Sequence, residues 1–162
     1  MNLKRVQYRF YGVVQGVGFR PFLYRLAVQN GLAGFVQNRP EGVTVEVEGP
    51  APVVDAFALR VREELPPLSN ITRIESAMLD IRNDQVFQII PSDDEGRADV
   101  HIPPDAATCP DCLAELFDPS NRRYRYPFIN CTNCGPRLTI INTVPYDRAN
   151  TSMACFDLCP EC

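Results

Sequence analysis

Residues 12–20 read Gly12-Val13-Val14-Gln15-Gly16-Val17-Gly18-Phe19-Arg20, with Pro21 next, and the reading of this stretch decides the fold. Glycines at 16 and 18 admit positive φ, so a sharp turn there leaves consecutive N–H groups pointing at one spot. A helix start and a guanidinium stand beside them, and these are the parts of an oxyanion cradle. Working outward, Val6, Tyr8, Phe10 and Val14 alternate with polar residues such as Gln7 and Arg9, the period of a half-buried strand. On the other side Phe19, Phe22, Leu23, Leu26 and Ala27 recur at helical spacing. Pro21 suits the first turn of that helix, and Asn30-Gly31 supplies its C-cap. The unit is strand, loop, helix.

Beyond it, Leu32–Gln37 is a short apolar segment, Asn38–Gly42 has turn chemistry, and Val43, Val45 and Val47 alternate with Thr44, Glu46 and Glu48, which predicts a hairpin. Val54, Phe57, Ala58, Val61 and Leu65 form a second helical stripe. Ile71–Ile81 and Val86–Ile90 are β-rich runs around the polar turn Asn83-Asp84. The order β-α-β-β-α-β predicts an α+β fold, the ferredoxin-like split βαβ arrangement, over residues 1–91. Residues 92–100 are expected to be a linker, since the stretch SDDEGRAD holds four acids against one arginine. Residues 101–162 then shift to proline, cysteine and asparagine, with too little apolar mass for a conventional core.

Composition narrows the function classes. With 45% apolar and 22% charged residues in a 162-residue chain, this is ordinary globular material and not a disordered protein. A net charge of −4 argues against nucleic acid as the main partner. No apolar run approaches the roughly 18 residues of a membrane span, and the polar start is no signal peptide, so a cytoplasmic protein is expected. Seven cysteines, all from Cys109 onward and mostly in C-x-x-C spacing, read as metal ligands in a reducing compartment.

Three readings compete for the glycine loop: a turn that needs glycine for geometry alone, a nucleotide loop, and an anion site. A dinucleotide fingerprint requires glycine where Pro21 stands, and a phosphate P-loop requires Gly-Lys-Ser/Thr. Neither is present. An anion site clamped by Arg20 remains, and with no Cys or His in the first hundred residues it must work by positioning and electrostatics.

The stretch GVVQGVGFR, with Gly34–Gly49 reading GFVQNRPEGVTVEVEG, resembles the acylphosphatase family in spacing and identity across residues 1–91. The resemblance implies that Arg20 and the backbone of Gln15, Gly16, Val17, Gly18, Phe19 and Arg20 hold a phosphoryl group. It also implies that Asn38 orients the attacking water, with the substrate's own phosphate helping to activate it. Without the family, Asn38 is equally well a turn asparagine.

Cys109-Pro-Asp-Cys112 and Cys131-Thr-Asn-Cys134 flank residues 113–130. Two such knuckles predict a closed, structural four-thiolate zinc site; a thioredoxin-like redox motif is disfavoured by the duplication. Between them Leu113, Leu116 and Phe117 predict a short helix. Arg122, Arg123 and Arg125 mix with Tyr124, Tyr126 and Phe128, either to stack nucleic acid or as a small aromatic core with an arginine rim; seven acids against five arginines after residue 99 favour the core. His101 stands off register and is no expected ligand. Cys159-Pro-Glu-Cys162 repeats the first knuckle, so half of a second metal site and a continuing sequence are expected. Cys155 is either a free thiol or a companion of that half-site.

The acylphosphatase pattern followed by CPDC, by Asp118–Arg137 and by CPEC resembles the N-terminal part of the HypF family of hydrogenase-maturation carbamoyltransferases. That resemblance implies cleavage of carbamoyl phosphate to carbamate and phosphate. Downstream YrdC-like and carbamoyltransferase domains would then adenylate carbamate and carbamoylate a cysteine of the partner HypE, toward the cyanide ligands of a NiFe centre. A non-catalytic zinc scaffold that only binds an anion or a partner, and a general acylphosphatase, are the alternatives.

Overall fold

The structure, a computed structural model, describes residues 2–93, 102, 104–131, 133–135 and 138–157. Strand β1 (Leu3–Val13) sends Val6, Tyr8 and Phe10 to one face, and strand β3 (Gly42–Pro50) opposes them in register with Val47, Val45 and Val43. Helices α1 (Phe19–Gln29) and α2 (Ala51–Glu63) cover that face with Phe19, Phe22, Leu23 and Leu26 from the first and Val54, Phe57 and Val61 from the second. Phe10 and Phe19 meet edge to face with ring centroids 5.4 Å apart. Removing each such side chain from water contributes about 1.5–3 kcal/mol, which makes this face the main source of stability.

Strand β2 (Ala33–Arg39) completes the hairpin with β3, and β4 (Asn70–Leu79) pairs antiparallel with the other edge of β1. The sheet order β4-β1-β3-β2 is the expected ferredoxin-like arrangement, extended by β5 (Phe87–Ile89) lying parallel to β2. The two late β-rich runs therefore do not pair around Asn83-Asp84 but occupy opposite edges of the sheet. On the β2 edge Phe87 is buried against Tyr24 of α1, 6.0 Å between rings. Asn38, whose neighbours suggest a turn, lies inside β2 opposite Val43.

The opposite face of the sheet carries a charge cluster. Arg5 is fully buried, bonded to Glu46 at 2.6 Å, to Glu48 at 2.9 Å and to Asp84. Burial works against its charge, but the carboxylates of Glu46, Asp84 and Glu48 more than offset this and raise its pKa above the ordinary value. Burial likewise opposes the Glu48 carboxylate, and the Arg82 N–H and the Arg5 guanidinium overcome it, leaving the Glu48 pKa lowered.

In the cysteine-rich region, α3 (Pro110–Phe117) forms at the predicted place. The aromatic core expected there does not: Tyr124, Tyr126 and Phe128 are 43%, 45% and 72% exposed. The interior is taken instead by Cys112, Cys134 and Ile129, with Leu116, Cys109 and Cys131 against them. Residues 138–157 then make two short 3-10 turns, Leu138–Ile140 and Arg148–Asn150, joined by a bridge between Ile141 and Thr151. Among the described residues no helix is long and apolar enough to cross a membrane.

A folded-state pKa below the ordinary 4.5 means that Glu48 contributes stability above that value and loses it as pH falls through the folded pKa. Urea midpoints measured from about pH 6 to about pH 3 should therefore fall, and Glu48→Gln should flatten the acid limb of that curve.

Candidate active site and metal centre

The loop between β1 and α1 is pinned from below by Val14 and Val17, both fully buried. Gly16 and Gly18 take φ of 71° and 73°, the positive values the sequence requires. Gly18 caps α1 without a side chain, and the first turn contains no acid, so the leading N–H groups and the positive end of the helix are left for an anion.

Gln15 does something the sequence does not reveal. Its buried amide donates to the carbonyls of Arg39 (2.6 Å) and Gly42 (2.7 Å), and its Oε1 accepts from the N–H of Tyr146 (2.8 Å). The side chain is consumed in stapling the loop to the hairpin; only its backbone remains for a ligand.

Arg20, in the first turn of α1, donates from Nη2 to Asp147 at 2.7 Å and from Nη1 to Ser92 at 3.4 Å, while the Ser92 hydroxyl bonds the other oxygen of Asp147. Asn38 is 2% exposed. Its Nδ2 donates to the Tyr146 carbonyl at 2.8 Å, and its Oδ1 is buried without a hydrogen-bond partner among the described residues. An orphaned acceptor of this kind costs about 1–3 kcal/mol unless a water or a ligand satisfies it. Burial pushes the neighbouring Tyr146 hydroxyl up, so it stays neutral.

A cavity of about 620 Å³ opens over the loop, lined on one side by Gln15, Gly16, Gly18, Arg20 and Asn38. Its other wall comes from the cysteine-rich region through Asp111, Glu115, Arg123, Asn133 and Gly135. The two regions touch backbone to backbone: a Cβ on Gly135, whose φ is 64°, would sit 1.7 Å from the carbonyl oxygen of Gly16. Nothing in the spacing of the sequence points to Ser92, Tyr146 or Asp147 as part of this site; they are brought to it only by the fold.

The sulfurs of Cys109, Cys112, Cys131 and Cys134 all lie within 4.8 Å of one another. Measured pairs are 3.4, 3.8 and 3.9 Å, against about 3.8 Å for thiolates placed tetrahedrally around zinc at 2.3 Å. Backbone N–H groups of Cys112, Asn133 and Cys131 point at sulfurs of the cluster. Burial, reinforced by the neighbouring sulfurs, pushes the Cys112 thiol up, a preference that a divalent cation reverses by holding thiolates. The four residues therefore fit a closed metal centre. Cys155 is exposed and lies outside the quartet; Cys159, Cys162 and His101 fall outside the described residues.

The acylphosphatase family profile matches residues 6–89, and the HypF finger profile matches residues 108–141. Carbamoyltransferase HypF2 of Cupriavidus necator is 51% identical over 157 residues, which is 96% of this chain and 20% of that protein. An acylphosphatase of Archaeoglobus fulgidus is 37% identical over 79 residues, 88% of its own length. Among solved structures, full-length HypF in its phosphate- and nucleotide-bound form superposes with a TM-score of 0.93 at 45% identity, covering 99% of this chain and 21% of that one. The chain thus spans about a fifth of the HypF proteins it matches. The chain, a glycine-arginine loop on a five-stranded α+β sheet followed by a four-cysteine cluster, belongs to the acylphosphatase family, in the form found in the N-terminal region of HypF carbamoyltransferases.

Proposed function

We propose that this protein hydrolyses carbamoyl phosphate to carbamate and phosphate, as the first step of an ATP-dependent transfer of the carbamoyl group to HypE. The observation that carries this reading is the Oδ1 of Asn38, a buried acceptor without a hydrogen-bond partner among the described residues, on a residue that shares one cavity with Arg20. A phosphoryl group held by the N–H groups of residues 15–20 and by the Arg20 guanidinium would sit beside it. Water that donates to Oδ1 is then oriented for attack on phosphorus. The phosphorus–oxygen bond to the carbamoyl group breaks, carbamate departs, and the proton of the water passes to a phosphoryl oxygen. Neither a nucleophilic side chain nor a histidine is needed; positioning and charge do the work.

The same proposal divides the chain into an acylphosphatase unit at 1–91, a connection at 92–100 and a finger region at 101–162. It assigns zinc to Cys109, Cys112, Cys131 and Cys134 as a structural ion, since four protein ligands leave no open position. A cytoplasmic location and downstream YrdC-like and transferase domains belong to it as well.

Release of inorganic phosphate from carbamoyl phosphate is the test. Arg20→Ala should raise KM and Asn38→Ala should lower kcat, each reducing kcat/KM by about a hundredfold or more. Rates equal to wild type in both variants would leave a non-catalytic binding scaffold, and equal rates on acetyl phosphate would point to a general acylphosphatase. Metal analysis of chelator-free protein should return at least one zinc per chain, and Cys112→Ser should lose it together with the folded finger. Clearly less than one zinc contradicts the assignment.

A further inference from the structure

The dipeptide Tyr146-Asp147 lies far outside residues 6–89, where the acylphosphatase profile ends, yet it makes direct bonds to three residues of the loop and hairpin. The Tyr146 peptide unit bridges Gln15 and Asn38: its N–H donates to Oε1 of the first, and its carbonyl accepts from Nδ2 of the second. Because that carbonyl takes the amide nitrogen of Asn38, the amide is fixed with Oδ1 as the end that has no partner among the described residues. One residue on, the Asp147 carboxylate takes Nη2 of Arg20 and is itself held by Ser92, which also receives Nη1 of the same arginine. The three side chains form a closed triangle. Arg20 lines the cavity, whereas neither Asp147 nor Ser92 does, so the acid and the hydroxyl grip the guanidinium from outside the cavity.

We infer that Tyr146-Asp147 is a positioning element for the phosphoryl site, with Asp147 and Ser92 fixing the Arg20 guanidinium so that its remaining N–H groups face the cavity. Arginine loses much rotamer freedom when it binds, and a partner that has already restricted it lowers that cost for the incoming anion. A competing role is physically distinct: were Asp147 only a counter-anion that phosphate must displace, its removal would tighten phosphate binding. The inference rests on the anion-site reading of Arg20.

Binding of inorganic phosphate to the full chain, followed by calorimetry, separates these cases, with steady-state hydrolysis of carbamoyl phosphate as a second readout. Asp147→Ala should weaken phosphate binding roughly tenfold and raise KM more than it lowers kcat. Asp147→Asn, which still accepts from Nη2, should recover most of the affinity. Tighter or unchanged phosphate binding in Asp147→Ala, or a loss that Asp147→Asn does not recover, overturns the inference. Should Asp147→Ala lose bound metal or unfold, Ser92→Ala decides: a weakening of a few fold is expected, and wild-type affinity contradicts the triangle. Failure of the wild type to hydrolyse carbamoyl phosphate would sink the proposed reaction alone, because the phosphate-binding arm reads Asp147 independently.

Discussion

The buried amide of Gln15 ties together the parts on which the site depends. Its two N–H bonds fix the loop after β1 to the carbonyls that flank the β2–β3 turn, and its oxygen fixes the same loop to Tyr146, 131 residues away in sequence. Each such bond contributes only about 1 kcal/mol net, but breaking the set strands buried polar groups at about 1–3 kcal/mol apiece. The bonds act together, because the loop cannot shift without leaving several of them unmade. The positive φ of Gly16 and Gly18 and the start of α1 with Arg20 lie directly after the residue so held.

Two further constraints act on that loop from outside the acylphosphatase unit. The finger presses the backbone of Gly135 onto Gly16, a contact that leaves no space for a side chain. Its own fold rests on the cysteine quartet, because Ile129 and Leu116 offer little apolar burial. The cysteine quartet, the finger and the loop are therefore mechanically connected. Tyr146-Asp147 supplies the second constraint, through hydrogen bonds and an ion pair that is only partly exposed and so less screened than a surface pair.

The sequence carried the local parts of this design well. Alternation of Val6, Tyr8 and Phe10 and helical spacing of Phe22, Leu23 and Leu26 appear as β1 and α1, and the two cysteine knuckles come together as four sulfurs within 4.8 Å. Where the sequence was ambiguous, long-range packing decided. Phe87 chose the far edge of the sheet because Tyr24 was there to receive it, not because of anything near Asn83-Asp84. Asn38 reads as a turn residue from its neighbours Arg39-Pro40, yet register with Val43 draws it into β2 and buries it. Tyr124, Tyr126 and Phe128 read as a core until the four sulfurs occupy that volume. Asp147 and Ser92 carry no local signal at all, since a partner 127 residues from Arg20 is visible only in the folded chain.

The proposed function requires one cavity to hold both an anion cradle and the Asn38 Oδ1, a buried acceptor without a partner among the described residues. A crystal structure of this chain with bound phosphate tests it most directly. Phosphate oxygens are expected on the N–H groups of residues 15–20 and on the Arg20 guanidinium, with an ordered water donating to Oδ1 of Asn38 within reach of phosphorus. Phosphate bound elsewhere, or an Asn38 Oδ1 occupied by a protein donor, would contradict it.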